Sequence, residues 1–340
     1  GIRQVYGENG GPGGLFHSLR QIPPIIEICE DINLICPDAV VFNFSNPMQR
    51  ICHAVTTKFP DLKFIGLCHE IKSMNRQLPD LMETEMHNIE FRAAGLNHLS
   101  ILLEARYKNT GKDGYPIIKQ NFDAYFSDLV NKHDAKPSKP GAERGVFRKL
   151  FKTYGYLPIT TDSHLGEYIQ WAYSVADHDA ILDFYDNYKE KCLAFYDNKT
   201  SYDHYFDLNN LDTHERVVPI IEGILSDSAY EEPAINIPNN GYIEFLPKDI
   251  VVEVPGIINK SGISGISFKN YPAAFGSLLN SQSGVIQMTT DAVLNASKHS
   301  AYLALLADPV VNDSYQAEKL LNNMLETQGC LLYTSPSPRD

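Results

Sequence analysis

Cysteine, histidine and amide side chains fall in this chain where the local pattern predicts strand ends and turns. Cys68 and His69 close the run KFIGLCHE, Asn97 and His98 close AAGLNH, and Asn46 lies in the turn Ser45-Asn46-Pro47. A thiolate with an imidazole suits a transition metal such as zinc, manganese or iron. Two protein ligands leave coordination positions open for substrate oxygens. The plainer alternative is structural: a cysteine at a strand end is commonly a small buried hydrophobe, and a histidine beside it a hydrogen-bonded loop residue. A second group lies in TTDSHLGEY, residues 160–168. There Asp162 or Ser163 could cap a helix, or Asp162 and His164 could work as acid and base at a cleft. The opening GENGGPGG is either a flexible turn or a loop whose backbone approaches a ligand. It lacks the GxGxxG spacing after a strand.

The elements that must position these residues follow from apolar periodicity. Ala39 to Phe44 and Lys63 to Leu67 read as short apolar strands, and Pro47 to Lys58 between them as a helix. Strand, turn, helix, strand is the order of a βαβ unit with parallel strands. Ligands bind beyond the carboxyl ends of such strands, so Asn46 and Cys68 share one edge. Upstream, Ile25, Ile26, Ile28, Cys29, Ile32 and Ile35 predict a helix from Pro23, with Pro24 in its first turn and Pro37 near its end. Downstream, Ile89 to Gly95 and Leu99 to Tyr107 are strand-like, 109–116 is turn-rich, and a helix is expected from Tyr115 to Lys132. Residues 133–144 are a polar loop, either a linker or a flap near the site. Helices follow over Ile181 to Phe195 and Glu215 to Leu225. Asn239-Asn240-Gly241 predicts a hairpin within Asn236 to Val254. Residues 271–306 are largely helical and suited to domain packing or subunit contact. The ending CLLYTSPSPRD, residues 330–340, breaks every preceding pattern and is set aside as a non-native tail.

The 340 residues suffice for two domains, and 43% hydrophobic with 21% charged content is ordinary for a soluble globular enzyme. A net charge of -13 argues against a general nucleic-acid partner, whose phosphates need a basic surface. No run of about 18 apolar residues occurs, so no membrane span is expected. The six cysteines form no CxxC pair, which fits a reducing, cytoplasmic compartment. The chain begins at Gly1 rather than Met, so an amino-terminal piece is expected to be missing.

Four motifs in fixed order carry a resemblance: FSNPMQR at 44–50, GLCHE at 66–70, AGLNH at 94–98 and NNGYIEFLPKDIVVEVP at 239–255. Together they resemble the NAD- and metal-dependent family 4 glycoside hydrolases, over nearly everything from the glycine loop to about Glu326. The resemblance implies an α/β fold. Residues 1–88 would be a Rossmann-type parallel sheet lacking its first strand and glycine-rich turn, and 89–329 a lactate/malate dehydrogenase-like α+β domain for substrate and self-association. Cys68 and His98 would be the ligands of a divalent metal, usually manganese. Asn46 and Asn97 would meet the sugar, and Gly11, Gly13 and Gly14, again with Asn46, the NAD. His69 occupies the position linked to protonating the departing oxygen. Asp162 is the candidate base by a looser match, because phosphosugar relatives use a tyrosine to which Tyr154, Tyr156 and Tyr168 do not align securely.

The implied chemistry is oxidation at C3 by NAD, metal-assisted loss of the C2 proton, elimination, water addition and re-reduction. His69-Glu70 after the cysteine resembles members that cleave α-glucosides or α-galacturonides without a phosphate. The expected partners are a small glycoside and further copies of the chain, as a homodimer or homotetramer. Two other readings stand beside this one: an NAD-dependent 2-hydroxy acid dehydrogenase, and an inactive fragment or interaction module.

Overall fold

The computed structural model describes residues 1–132, 144–197 and 216–328. The expected polar loop at 133–143, the tail at 330–340 and the first residue of the helix expected from Glu215 lie outside the described residues.

The first helix, α1 (Gly11–Ile35), starts well before the expected Pro23 and carries Pro23 and Pro24 in its interior. Interior prolines cost a helix about 3 kcal/mol. Burial offsets this: Leu15, Phe16, Leu19, Ile22, Ile26 and Cys29 recur at helical spacing and are all buried. Leu15, Phe16 and Leu19 pack on Ala292, Ala301, Ala304, Leu305 and Leu321 near the other end of the chain. The glycine cluster is thus a helix start, not only a turn.

The βαβ unit is present as β1 (Val40–Asn43), α2 (Met48–Lys58) and β2 (Lys63–Gly66), with β1 and β2 parallel and Asn43 opposite Gly66. A 3-10 turn (His69–Lys72) and α3 (Ser73–Met82) follow, then a hairpin of β3 (Ile89–Leu96) and β4 (Leu99–Tyr107). Next come α4 (Tyr115–Lys132), α5 (Gly145–Tyr154), α6 (Asp162–Leu165), α7 (His178–Asp197) and α8 (Val217–Ser226). The remaining strands are β5 (Tyr230–Pro238), β6 (Val251–Asn259) and β7 (Gly262–Gly265). Three helices close the described chain: α9 (Ala273–Leu294), α10 (Lys298–Ala307) and α11 (Ser314–Gln328).

All strands join one mixed sheet in the order β1-β2-β5-β6-β3-β4, with β7 on β6. Only the β1–β2 pair is parallel among the described strands; β2–β5, β5–β6, β6–β3 and β3–β4 are antiparallel. The expected hairpin between β5 and β6 exists, but residues 239–250 connect it instead of a two-residue turn. Asn239 holds that connection, its amide donating to the Ile243, Leu246 and Pro247 carbonyls while its oxygen accepts from the Ile243 N–H. No described helix is long and apolar enough to cross a membrane.

Candidate active site

The middle of the sheet gathers the polar groups. Gly66 ends β2, and a Cβ there would lie 2.8 Å from Cys52 Sγ and 2.9 Å from Asn236 Cβ, so only glycine lets β2 approach β5 this closely. Two residues on, Cys68 leaves the sheet at the head of the 3-10 turn. Asn97 and His98 form the tight turn between β3 and β4, with His98 in the left-handed region at φ 61°. This backbone is uncommon for a residue with a Cβ and aims the imidazole across the sheet end. His98 Nε2 lies 3.4 Å from Cys68 Sγ.

Beneath the pair is a tier of buried polar side chains. Glu253 of β6 accepts from Asn97 Nδ2 at 2.8 Å, Ser100 Oγ at 2.7 Å and Asn236 Nδ2 at 3.3 Å. The Gln49 side chain takes the Asn97 backbone N–H at 3.1 Å. Asn97, assigned to the sugar from sequence, therefore has its amide committed to Glu253 and supports the site from below.

Burial pushes the Cys68 thiol up, and the nearby carboxylates Glu253 and Glu70 add to this. Burial holds His98 well below the ordinary imidazole range, with His164 and His69 contributing in the same direction. A neutral imidazole and a protonated thiol result, a donor pair that a divalent cation would complete by displacing the thiol proton. The residues thus fit a metal: a soft ligand and an imidazole converge, although no cluster of three or more metal-binding side chains occurs among the described residues. One expectation follows. Because Cys68 keeps its proton and His98 carries none above about pH 6.5, each ion bound releases one proton. Manganese affinity should rise about tenfold per pH unit between about pH 6.5 and about pH 9, checked by titration at fixed ionic strength.

A second wall comes from the amino terminus. Glu167 is fully buried and accepts the backbone N–H groups of Glu8, Asn9 and Gly10 at 3.3, 2.5 and 2.6 Å. Its carboxylate occupies the start of α1, where exposed N–H groups and the helix dipole favour an anion. The glycines face the chain itself: a Cβ at Gly13 would meet the Gly7 backbone at 2.6 Å, and one at Gly14 the Asn9 backbone at 2.5 Å. Gly11, at φ 61°, would meet Gln4 at 2.7 Å. Gly11, Gly13 and Gly14, which the resemblance assigns to the dinucleotide, thus lie where the loop packs on itself. These glycines allow the loop to fold on itself, and Glu167 fills the anion position.

Asn46 is half-buried, and its amide donates to Glu8 Oε1 at 3.1 Å. Glu8 Oε2 lies 3.9 Å from His164 Nδ1, and Glu167 Oε1 lies 3.8 Å from the same nitrogen. Burial alone would lower the His164 pKa; Glu167, Glu70 and Glu8 outweigh it and raise the value. The His164 ring stacks on His98 at 4.2 Å and 20°. Asn46, Glu8, His164, His98 and Cys68 thus form one connected chain of side chains.

His69 is exposed and borders a cavity of 230 Å³ beside Cys68. Lys72, Asn75, Arg216 and Glu232 also line it. Arg216 is spent on Glu232, Nε to Oε1 at 3.1 Å and Nη2 to Oε2 at 3.1 Å.

Asp162 does not join this group as a free carboxylate. It is buried, and its two oxygens accept the Val146 and Phe147 N–H groups at 2.8 Å, capping α5 from across the fold. Asp162→Ala should cost about 1–2 kcal/mol in urea unfolding, as a lost helix cap does. Asp162→Asn should leave kcat nearly unchanged in steady-state assays, which a proton-abstracting role would not allow.

Sequence reasoning missed Glu8, Glu167, Glu253 and Asn236. Glu253 did leave a signal, a lone carboxylate inside the apolar run IVVEVP. Glu8 and Glu167 left none, because each takes its meaning from a partner far along the chain.

Comparison with known proteins shows the family. The profile described as family 4 glycosyl hydrolase matches residues 1–84, and the family 4 glycosyl hydrolase C-terminal domain matches residues 93–311. An α-glucosidase of Erwinia rhapontici is 44% identical, over 96% of this chain and 76% of the relative. An α-galacturonidase of Thermoanaerobacterium saccharolyticum is 30% identical, over 96% of this chain and 73% of the relative. The crystal structure of a 6-phospho-α-glucosidase from gut microorganisms, in complex with NAD and Mn2+, superposes with a TM-score of 0.78 at 20% identity, over 95% of this chain and 74% of the other. The matched profiles span both sides of the Cys68–His98 pair, and the chain belongs to family 4 of the glycosyl hydrolases.

Proposed function

We propose that this chain hydrolyses an α-glycosidic bond of an unphosphorylated sugar, with an α-glucoside as the first candidate. The observation that carries the reading is the approach of Cys68 Sγ to His98 Nε2 at 3.4 Å, beside a cavity that His69 borders. Bound NAD would supply a hydride acceptor and donor for C3, and a bound divalent metal such as manganese would make a C3 carbonyl electron-poor.

The remaining work belongs to the chain. Cys68 and His98 hold the metal, and the buried Glu253 tier fixes the turn that carries His98. Asn46 faces the sugar. His69 gives a proton to the oxygen leaving C1, and the cavity beyond it receives the departing group. Support for a substrate without phosphate comes from Arg216, which Glu232 already neutralises in that cavity; a phosphate is ordinarily gripped by an arginine fork. Similarity to the Erwinia rhapontici α-glucosidase points the same way.

The test is release of nitrophenol from nitrophenyl α-glucoside, α-galactoside, α-galacturonide and 6-phospho-α-glucoside, with NAD and Mn2+ present. Fastest release from the unphosphorylated α-glucoside, without net NADH, is expected. Release from the phosphorylated compound alone would overturn the substrate assignment. NADH accumulating from 2-hydroxy acids, with no nitrophenol, would favour a dehydrogenase.

A further inference from the structure

With Asp162 capping α5, the proton acceptor at C2 has to come from another group near the Cys68–His98 pair. The carboxylates around the Cys68–His98 pair differ sharply in what they are free to do. Glu167 is fully buried and holds three backbone N–H groups, and Glu253 is buried under Asn97, Ser100 and Asn236. Glu70 is held by the Thr160 hydroxyl at 3.1 Å, on the same turn as His69. Glu8 is different. Its side chain is 30% exposed, and among the described residues its oxygens meet side-chain donors alone: the Asn46 amide at 3.1 Å, the Asn9 amide at 3.4 Å and the His164 ring at 3.9 Å. Sugar hydroxyls can replace side-chain amides as partners, which backbone donors inside a helix start do not permit.

The loop that carries Glu8 is also fixed. Its backbone N–H goes to Glu167 and its carbonyl oxygen meets His17 Nδ1 at 2.9 Å. Asn46 and His164 set the carboxylate from two sides, and His164 stacks on His98. A sugar held between Asn46 and the Cys68–His98 pair would have Glu8 on its flank.

The geometry points to Glu8 as the base that removes the C2 proton, an assignment that rests on the elimination reading above. A Glu8 oxygen takes the proton, the C2–H electron pair becomes the C2=C3 bond, and the C3 carbonyl oxygen takes the negative charge. Collapse of that charge restores the C3 carbonyl and forms C1=C2. The C1–O pair leaves with the departing oxygen, which takes its proton from His69. Water adds at C1 and gives its proton to His69, which restores that ring, and protonated Glu8 returns a proton to C2.

This step is redox-neutral once C3 is a ketone, so a synthetic 3-keto α-glucoside isolates it from the dinucleotide. The chain, with Mn2+, is mixed with that compound in deuterium oxide, and label at C2 with release of the aglycone is followed by NMR. The parent chain is expected to do both. Glu8→Gln should slow both at least a hundredfold, while Mn2+ affinity measured by electron paramagnetic resonance and the melting temperature stay unchanged. Formate should restore the activity of Glu8→Ala by standing in for the missing carboxylate. Exchange at the parental rate in Glu8→Gln, or loss in Glu70→Gln instead, would overturn the assignment while leaving elimination intact. Loss in Glu8→Ala that formate does not restore would make Glu8 a positioning residue and overturn it as the base. No exchange by the parent chain would sink the elimination reading and this assignment with it.

Discussion

Cys68→Ala is expected to leave a folded chain that retains no manganese and releases no aglycone. The thiol is one of two protein donors that converge at 3.4 Å, and losing it leaves His98 alone. Lewis-acid assistance is worth several kcal/mol at a carbonyl, so kcat/KM should fall by about a thousandfold or more. Stability should change by only about 1 kcal/mol, because a small side chain is lost at a half-buried position. His98→Ala should match it in metal content. The contrast is Cys52→Ala. Cys52 is fully buried in a core cluster with Met48 and Ile51, so its loss should lower the melting temperature and leave metal content at the parental level. Metal analysis after gel filtration, with thermal unfolding, separates the two thiols. Full manganese in Cys68→Ala would remove Cys68 from the site.

Glu167→Ala is the second large effect, and it acts on the fold. The backbone N–H groups of Glu8, Asn9 and Gly10, just before α1, lose their acceptor, and those of Asn9 and Gly10 are buried. Each such group costs about 1–3 kcal/mol when left unpaired, so a loss of about 3–5 kcal/mol is expected after relaxation. In a chain of 340 residues that lowers the melting temperature by about 4–7 °C, measurable by calorimetry. Glu8 loses its anchor in the same change, and activity should fall with stability. Glu167→Gln keeps one acceptor oxygen without the charge that suits a helix amino terminus, and should lose roughly half as much stability. An unchanged melting temperature in Glu167→Ala would mean that the loop is held by other contacts.

Local signals explain which parts of this architecture could be read in the sequence. The βαβ unit was legible because Ala39 to Phe44, Pro47 to Lys58 and Lys63 to Leu67 switch cleanly between strand and helix periods. The same holds for β3 and β4, whose turn residues Asn97 and His98 separate two apolar runs. From these two units Cys68 and His98 already fall at strand ends. The start of α1 was not legible. Gly and Pro in GENGGPGG signal a turn locally, and the helix there depends on burying Leu15, Phe16 and Leu19 against helices near the other end of the chain. Asp162 reads locally as a cap for the helix it begins, whereas in the fold its oxygens cap α5. The loop between β5 and β6 looked like a tight hairpin because Asn239-Asn240-Gly241 suits one, whereas the Asn239 side chain instead organises a longer connection. Glu8 needed Asn46 and His164 to acquire its role, partners that only the fold brings near.

In the proposed reaction the sugar loses and regains its C2 proton while the glycosidic bond breaks. It is tested most directly by hydrolysing an unphosphorylated α-glucoside in deuterium oxide with NAD and Mn2+, then reading the released sugar by NMR. Deuterium at C2 of the product, in step with turnover, is the expected result. A released sugar carrying only protium at C2 would contradict it.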